Sequence, residues 1–203
     1  MRRVLAICGL LLLAPARDAA AEWHFTPMVG LTMLGNTSLF DPELATEKRH
    51  WNVGGAVTLL GGGIFGAEVI TAWTPGFFDD NEVENDPDLN LVTSSRTLSL
   101  MGNVMLTTPR NWTEYGLRPF VSGGFGLIHI RKVENPEGLF PVNLNLAGFN
   151  IGGGAIGFLS ERTGLRFDLR YHSVLNPSDQ GPIAFDDVHL RYLAASIGIV
   201  FRR

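Results

Sequence analysis

The stretch GLRFDLRYHSV, residues 164–174, decides how this chain is read. Leu165, Phe167, Leu169 and Tyr171 are apolar or aromatic, whereas Arg166, Asp168, Arg170 and His172 are charged or titratable. Period-two alternation of this length marks a β-strand with two unlike faces. In a water-soluble protein the apolar row turns inward. In a protein surrounded by lipid it turns outward, so the rest of the sequence has to say which face is inside.

The chain has 203 residues, room for one domain or one barrel. Its start reads as a leader: Met1-Arg2-Arg3 is basic, residues 4–13 are an apolar run, and Ala19-Ala20-Ala21 is a small-residue cleavage pattern. Residues 1–21 are therefore expected to be a cleaved signal peptide, and residues 22–203 the folded domain. The single cysteine, Cys8, lies in that leader, so the exported domain has no disulfide to support it. Loss of Arg2, Arg3, Arg17 and Asp18 takes the formal charge from −4 to −6, a balance that argues against nucleic acid as partner. No apolar run after residue 21 approaches the roughly 18 residues of a membrane-spanning helix. If the domain crosses a membrane, it does so with strands.

Eight segments have strand character: residues 23–34, 50–60, 64–74, 96–107, 117–131, 146–159, 165–174 and 188–202. No convincing helix separates them. Their connections alternate in length, starting with a long polar loop over residues 35–49 and then the short Gly61-Gly62-Gly63. Every second loop is thus expected to be long, the arrangement of a membrane barrel with short periplasmic turns and longer extracellular loops. Most strands pair an apolar row with a row of polar or small residues. In the fourth, Leu98, Leu100, Val104 and Leu106 oppose Thr97, Ser99 and Asn103; in the third, Phe65, Ala67, Val69 and Trp73 oppose Gly66 and Glu68. The fifth and sixth are too glycine-rich for their facing to be read. Aromatic residues gather at the strand ends, Trp51 and Trp73 by long loops and Trp23, Phe25, Trp112, Tyr115 and Phe201 toward the other rim. A bilayer's two interfaces select such bands.

With its leader, its eight strands, the run at 164–171 and the closing segment YLAASIGIVF at 192–201, the chain resembles the bacterial outer-membrane β-barrel family, the small eight-stranded OmpA/OmpX-like group. The resemblance covers the whole of residues 22–203 and rests on pattern more than on unique motifs. It implies a final strand read by the barrel-assembly machinery, here followed by Arg202-Arg203 where the family usually ends on an aromatic residue. It implies contact with outer-membrane lipid and lipopolysaccharide. An OmpA-like periplasmic domain is not expected after the eighth strand.

The fold expected is all-β, an eight-stranded antiparallel up-and-down transmembrane barrel in the bacterial outer membrane. Glu68, Arg166, Asp168 and Arg170 are then lumen charges, and they are tolerable in so narrow an interior only when paired and hydrogen-bonded. Arg166 and Arg170 flank Asp168 on one face, which predicts a carboxylate–guanidinium ladder. His172-Ser173 is not expected to form a catalytic pair, because neighbours on a strand point to opposite faces; lipid A deacylases, which the resemblance also implies as relatives, carry His-x-Ser, a spacing this sequence lacks. The histidines are scattered and predict no metal site or cofactor. The acidic loop at residues 79–88 lacks the glycine-centred calcium pattern and reads as a solvated loop. A non-enzymatic envelope-integrity role follows, with the long loops as an adhesion surface. The alternatives are a lipid A-modifying barrel enzyme, a small gated pore, and a soluble lipocalin-like barrel, which would hold its apolar residues inside and its charges outside.

Overall fold

The computed structural model describes residues 21–35, 49–77, 92–109, 112, 116–134, 142–175 and 190–203. Residues 1–20 of the expected leader, Tyr115, His189 and the acidic loop at 79–88 lie outside the described residues. Eight strands follow one another: β1 (Glu22–Gly35), β2 (Arg49–Leu60), β3 (Phe65–Pro75), β4 (Val92–Thr107), β5 (Leu117–Glu134), β6 (Val142–Phe158), β7 (Thr163–Val174) and β8 (Arg191–Arg202). Each pairs antiparallel with its sequence neighbours, and β1 pairs with β8 (Phe25 opposite Phe201, for example), so the sheet closes on itself. Closure leaves no strand edge unpaired, which a lipid environment demands.

Facing follows the alternation. Leu165 and Tyr171 stand partly exposed on the outer wall beside the more exposed Phe167 and Leu169, while Arg166, Asp168, Arg170 and His172 are buried in the lumen. The same outer row continues through Val29, Val53, Val69, Leu100, Val104, Val121, Phe125, Ile151, Ile197 and Ile199. On the glycine-rich β5 and β6 the inward residues include Phe120, Ser122, Ile128, Asn150 and Ile156. Apolar outside and charged inside is the reverse of a lipocalin-like barrel, and that alternative fails. The outer apolar belt runs over residues 98–106 on β4 and 117–127 on β5. Those spans match the roughly 9–11 residues a tilted strand needs to cross a bilayer.

Two expectations are corrected. First, the loop lengths do not alternate strictly. Pairing of β5 with β6 continues through Lys132 opposite Val142, so only residues 135–141 join them, fewer than residues 108–116 between β4 and β5. Second, the inward rows are not uniformly polar or small. Met28, Ala56, Ile70, Met101, Ile128, Ile130, Leu146, Val174, Leu190 and Tyr192 form an apolar cluster in the half of the lumen toward the β3–β4 connection. Leu60, Met105, Phe120, Ile156 and Val200 form another in the opposite half, with Phe158 packed against it. An interior this narrow excludes bulk water and is filled as a packed core. Apolar side chains therefore suit both walls.

The bends at the strand ends have local causes. At the β6–β7 turn, Ser160 Oγ accepts from the Thr163 and Arg162 backbone N–H groups at 3.1 and 3.3 Å, closing the chain tightly. After β3, Gly76 adopts φ 65°, a left-handed conformation open to glycine, and its N–H donates to the Ser95 carbonyl at 2.8 Å. That bend turns Phe77 back into the mouth of the lumen. There it is fully buried edge-on against Tyr192, ring centroids 5.3 Å apart.

Candidate functional site

Between the two apolar clusters lies one charged layer. β7 supplies Arg166, Asp168 and Arg170 from alternate, inward positions, and β3 supplies Glu68. In an eight-stranded ring β3 and β7 are half a circumference apart, so Glu68 meets the arginines from the opposite wall. Arg166 Nη1 lies 2.5 Å from Glu68 Oε2, and Arg170 Nη2 lies 3.0 Å from Glu68 Oε1. Asp168 Oδ2 holds both arginines, Arg166 Nη2 at 2.5 Å and Arg170 Nη2 at 3.0 Å. Two guanidiniums and two carboxylates cancel. The network spans the lumen from wall to wall.

Neutral groups complete it. Thr58 on β2 donates to Glu68 Oε2 at 3.3 Å and accepts from Arg166 Nη1 at 3.3 Å. Arg170 Nη1 donates to Asn150 Oδ1 at 2.6 Å, Asn150 to Asn103 Oδ1 at 2.8 Å, and Asn103 to Glu68 Oε1 at 3.1 Å. Because Arg170 also donates to Glu68 directly, these bonds form a closed circuit through β3, β4, β6 and β7. Arg170 Nη2 further reaches Ser122 Oγ on β5 at 3.0 Å. The guanidinium carbon of Arg166 lies 4.5 Å from the centre of the Phe120 ring, while its Nε has no hydrogen-bond partner among the described residues. That stacking puts the cation against a π face in a dry environment. A buried charge without partners would cost several kcal/mol, and this layer leaves none.

Close backbone approach keeps one neighbour of the layer small. Gly154 faces inward on β6, and a Cβ there would come within 3.0 Å of Phe120 Cζ and collide with the Phe167 carbonyl oxygen. Gly154→Ala is therefore expected to push Phe120 from under Arg166 and to destabilise the barrel by about 1–3 kcal/mol. The check is the midpoint of urea unfolding in detergent, followed by the gel shift between folded and boiled forms. An unchanged midpoint would show that the wall yields without cost.

The other sequence-designated residues separate from this layer. Trp23, Phe25, Trp51, Trp73 and Phe201 stand exposed on the outer wall, Trp51 and Trp73 at one end and the other three at the opposite end. Trp112 is exposed in the β4–β5 connection. His172 points into the lumen and stacks on Tyr192 (4.6 Å, 9°), and Ser173 Oγ lies 3.5 Å from the Val174 carbonyl oxygen. His24 lies 3.6 Å from Glu22 at the terminal rim, His50 6.3 Å from the Phe77 ring, and His129 Nδ1 2.8 Å from Asn145 Oδ1 on the outer wall. Among the described residues no cluster of three metal-binding side chains occurs. At the terminal rim a recess of about 330 Å³ is lined by Glu22, Arg118, Phe158, Glu161 and Arg202, a mouth of mixed charge.

Sequence reasoning missed Asn150, Ser122 and Phe120 as members of the layer. Their parity was hidden by glycines on both faces of β5 and β6, such as Gly123 beside Gly124 and Gly152 beside Gly153. It also missed Phe77, whose inward turn depends on the bend at Gly76 and has no periodicity to betray it.

No family model matches this chain, and no curated protein matches it either. Solved structures do. Neisserial surface protein A is similar at 10% identity and a TM-score of 0.57, covering 89% of this chain and 96% of that one. The outer membrane protein OprG from Pseudomonas aeruginosa is similar at 10% identity and TM-score 0.55, over 91% and 97%. Ail, the attachment invasion locus protein of Yersinia pestis, was solved with the heparin analogue sucrose octasulfate. It is similar at 10% identity and TM-score 0.54, over 90% and 99%. At these identities the likeness is one of fold, and the fold is that of the small eight-stranded outer-membrane barrels.

Proposed function

We propose that this chain, having the fold of the small outer-membrane barrels, is a non-enzymatic, integral protein of the bacterial outer membrane. Its role is structural, in envelope integrity. In this reading residues 1–21 direct export and are removed, β8 is the segment read by the barrel-assembly machinery, and the surroundings are outer-membrane lipid and lipopolysaccharide. The observation that carries the reading is the wall-to-wall layer of Glu68, Arg166, Asp168 and Arg170 beneath a continuous apolar outer belt. A lumen closed by paired charges between two apolar clusters is built to hold a cylinder shut rather than to pass solute. The outward belt supplies the reason for the cylinder to sit in lipid. The description of Ail as an attachment invasion locus protein supports a further element, adhesion by the loops that follow β1, β3, β5 and β7.

The reading predicts where the protein goes and what it fails to do. In cell fractions it is expected in the detergent-extracted outer membrane, as a band whose mobility changes on boiling. Reconstituted in a planar bilayer it is expected to give no steady single-channel steps. Recovery in the periplasm would overturn the membrane assignment. Reproducible steps abolished by boiling would overturn the closed lumen in favour of a gated pore.

A further inference from the structure

Outward-facing arginines are distributed unequally between the two rims. At the end opposite the termini, Arg49 on β2, Arg96 on β4, Arg131 on β5 and Arg191 on β8 all occupy outward positions just beyond the apolar belt. None makes a salt bridge among the described residues, and no carboxylate stands beside them among the described side chains. At the terminal rim the signs are mixed: Arg202 lies 3.6 Å from Glu22, with Glu161 and Arg162 nearby.

Two of the four are direct cross-strand neighbours. Arg96 and Arg131 are register partners on β4 and β5, with exposed guanidiniums on the same face. Like charges directly opposite in a sheet repel, so among the described side chains this pairing is one that a bound anion would relieve. One step toward the belt on the same face, Leu98 is paired with His129, whose Nδ1 contacts Asn145 Oδ1 at 2.8 Å. Below that the wall is wholly apolar through Leu100 and Leu127. A ligand held here therefore has its anionic group at the height of Arg96 and Arg131 and apolar chains against Leu98, Leu100 and Leu127. It is an amphiphile.

We propose that Arg96 and Arg131, with His129 beneath them, seat a phosphate of a phosphorylated glycolipid of the outer leaflet. The inference rests on the outer-membrane reading above, which puts this rim in that leaflet. Guanidinium matches phosphate with paired N–H donors, and the two facing guanidiniums offer a doubly charged cradle that no described side chain neutralises. Arg49 on β2 and Arg191 on β8 stand at the same end on the other side of the ring.

The test uses the full folded barrel in detergent, titrated with bisphosphorylated lipid A and read by native mass spectrometry. Removing both charges in R96Q/R131Q is expected to weaken retention about thirtyfold, roughly fivefold for each arginine near an anionic lipid surface. R96K/R131K is expected to keep most of it, and excess inorganic phosphate is expected to compete only weakly because it lacks the apolar chains. Dephosphorylated lipid A should bind like the variant. Equal lipid A retention by wild type and R96Q/R131Q overturns the site, and equal retention of phosphatidylglycerol overturns the glycolipid as its ligand. Insertion into phosphatidylcholine vesicles, scored by the boiling-dependent gel shift, separates this from the parent reading. Failure of wild type to insert defeats the outer-membrane reading, whereas equal insertion with no lipid selectivity defeats the site alone.

Discussion

Glu68→Gln is expected to destabilise the barrel by about 3–5 kcal/mol, the cost of breaking a buried ion network by removing one partner. The substitution is nearly isosteric, so packing is preserved and the effect is electrostatic. Arg166 and Arg170 would then share Asp168 alone, leaving one positive charge uncompensated in a layer where all four side chains are almost fully buried. Thr58 and Asn103 would still have a partner at position 68, but one that no longer carries a charge. The measurement is urea unfolding in detergent micelles, with E68Q, R170M and the double variant compared. Because E68Q/R170M restores neutrality, its loss is expected to fall short of the sum of the single losses by more than 1 kcal/mol, the signature of direct coupling. Simple additivity would mean that the two walls do not communicate through these charges.

The second large effect lies on the outer wall. Val121 is exposed near the middle of the β5 belt, and Leu127 is exposed at its upper edge. In a bilayer Val121→Arg is expected to cost about 2–4 kcal/mol, whereas Leu127→Arg, close to the headgroups, costs about 0–1 kcal/mol. On a water-facing surface both changes would be nearly neutral, so the gradient with depth is what discriminates. Folding equilibria in phosphatidylcholine vesicles, with both variants measured side by side, provide the check. Equal effects at both positions would remove the apolar belt as a reason for membrane residence.

Much of this architecture is legible in residues taken one strand at a time. The alternation at 164–171 gives β7 its two faces, and the same parity sets Glu68 opposite Val69 on β3 and Asn103 opposite Val104 on β4. The distance between β3 and β7 around a closed ring is not legible from either strand. It depends on closure, so a ladder confined to β7 was the natural expectation and the span across the lumen was not. The inward Met28, Ile70, Met101 and Met105 escaped for a different reason. In a wide channel such residues would be out of place, and only the narrowness of eight strands makes the interior a core. The facing of β5 and β6 was hidden because glycine has no side chain with which to declare a side. The outward placement of Trp23, Phe25, Trp51, Trp73 and Phe201 was visible because each falls on the apolar row of its strand.

The chain order of the charged residues constrains how the cylinder is put together. β7 alone carries two positive charges and one negative, and the residue that balances it was made 98 positions earlier, on β3. Until β3 and β7 face each other, the inward row of β7 holds an excess cation without the Glu68 carboxylate that balances it. A slip of one residue in the pairing of β7 would turn Arg166, Asp168 and Arg170 out into lipid, and a slip of two would carry Arg170 away from Glu68. Only the native alignment satisfies every charge at once. The same layer that shuts the finished lumen thus also distinguishes the native register of β7 from shifted ones that keep the backbone hydrogen bonds but lose the charge pairs.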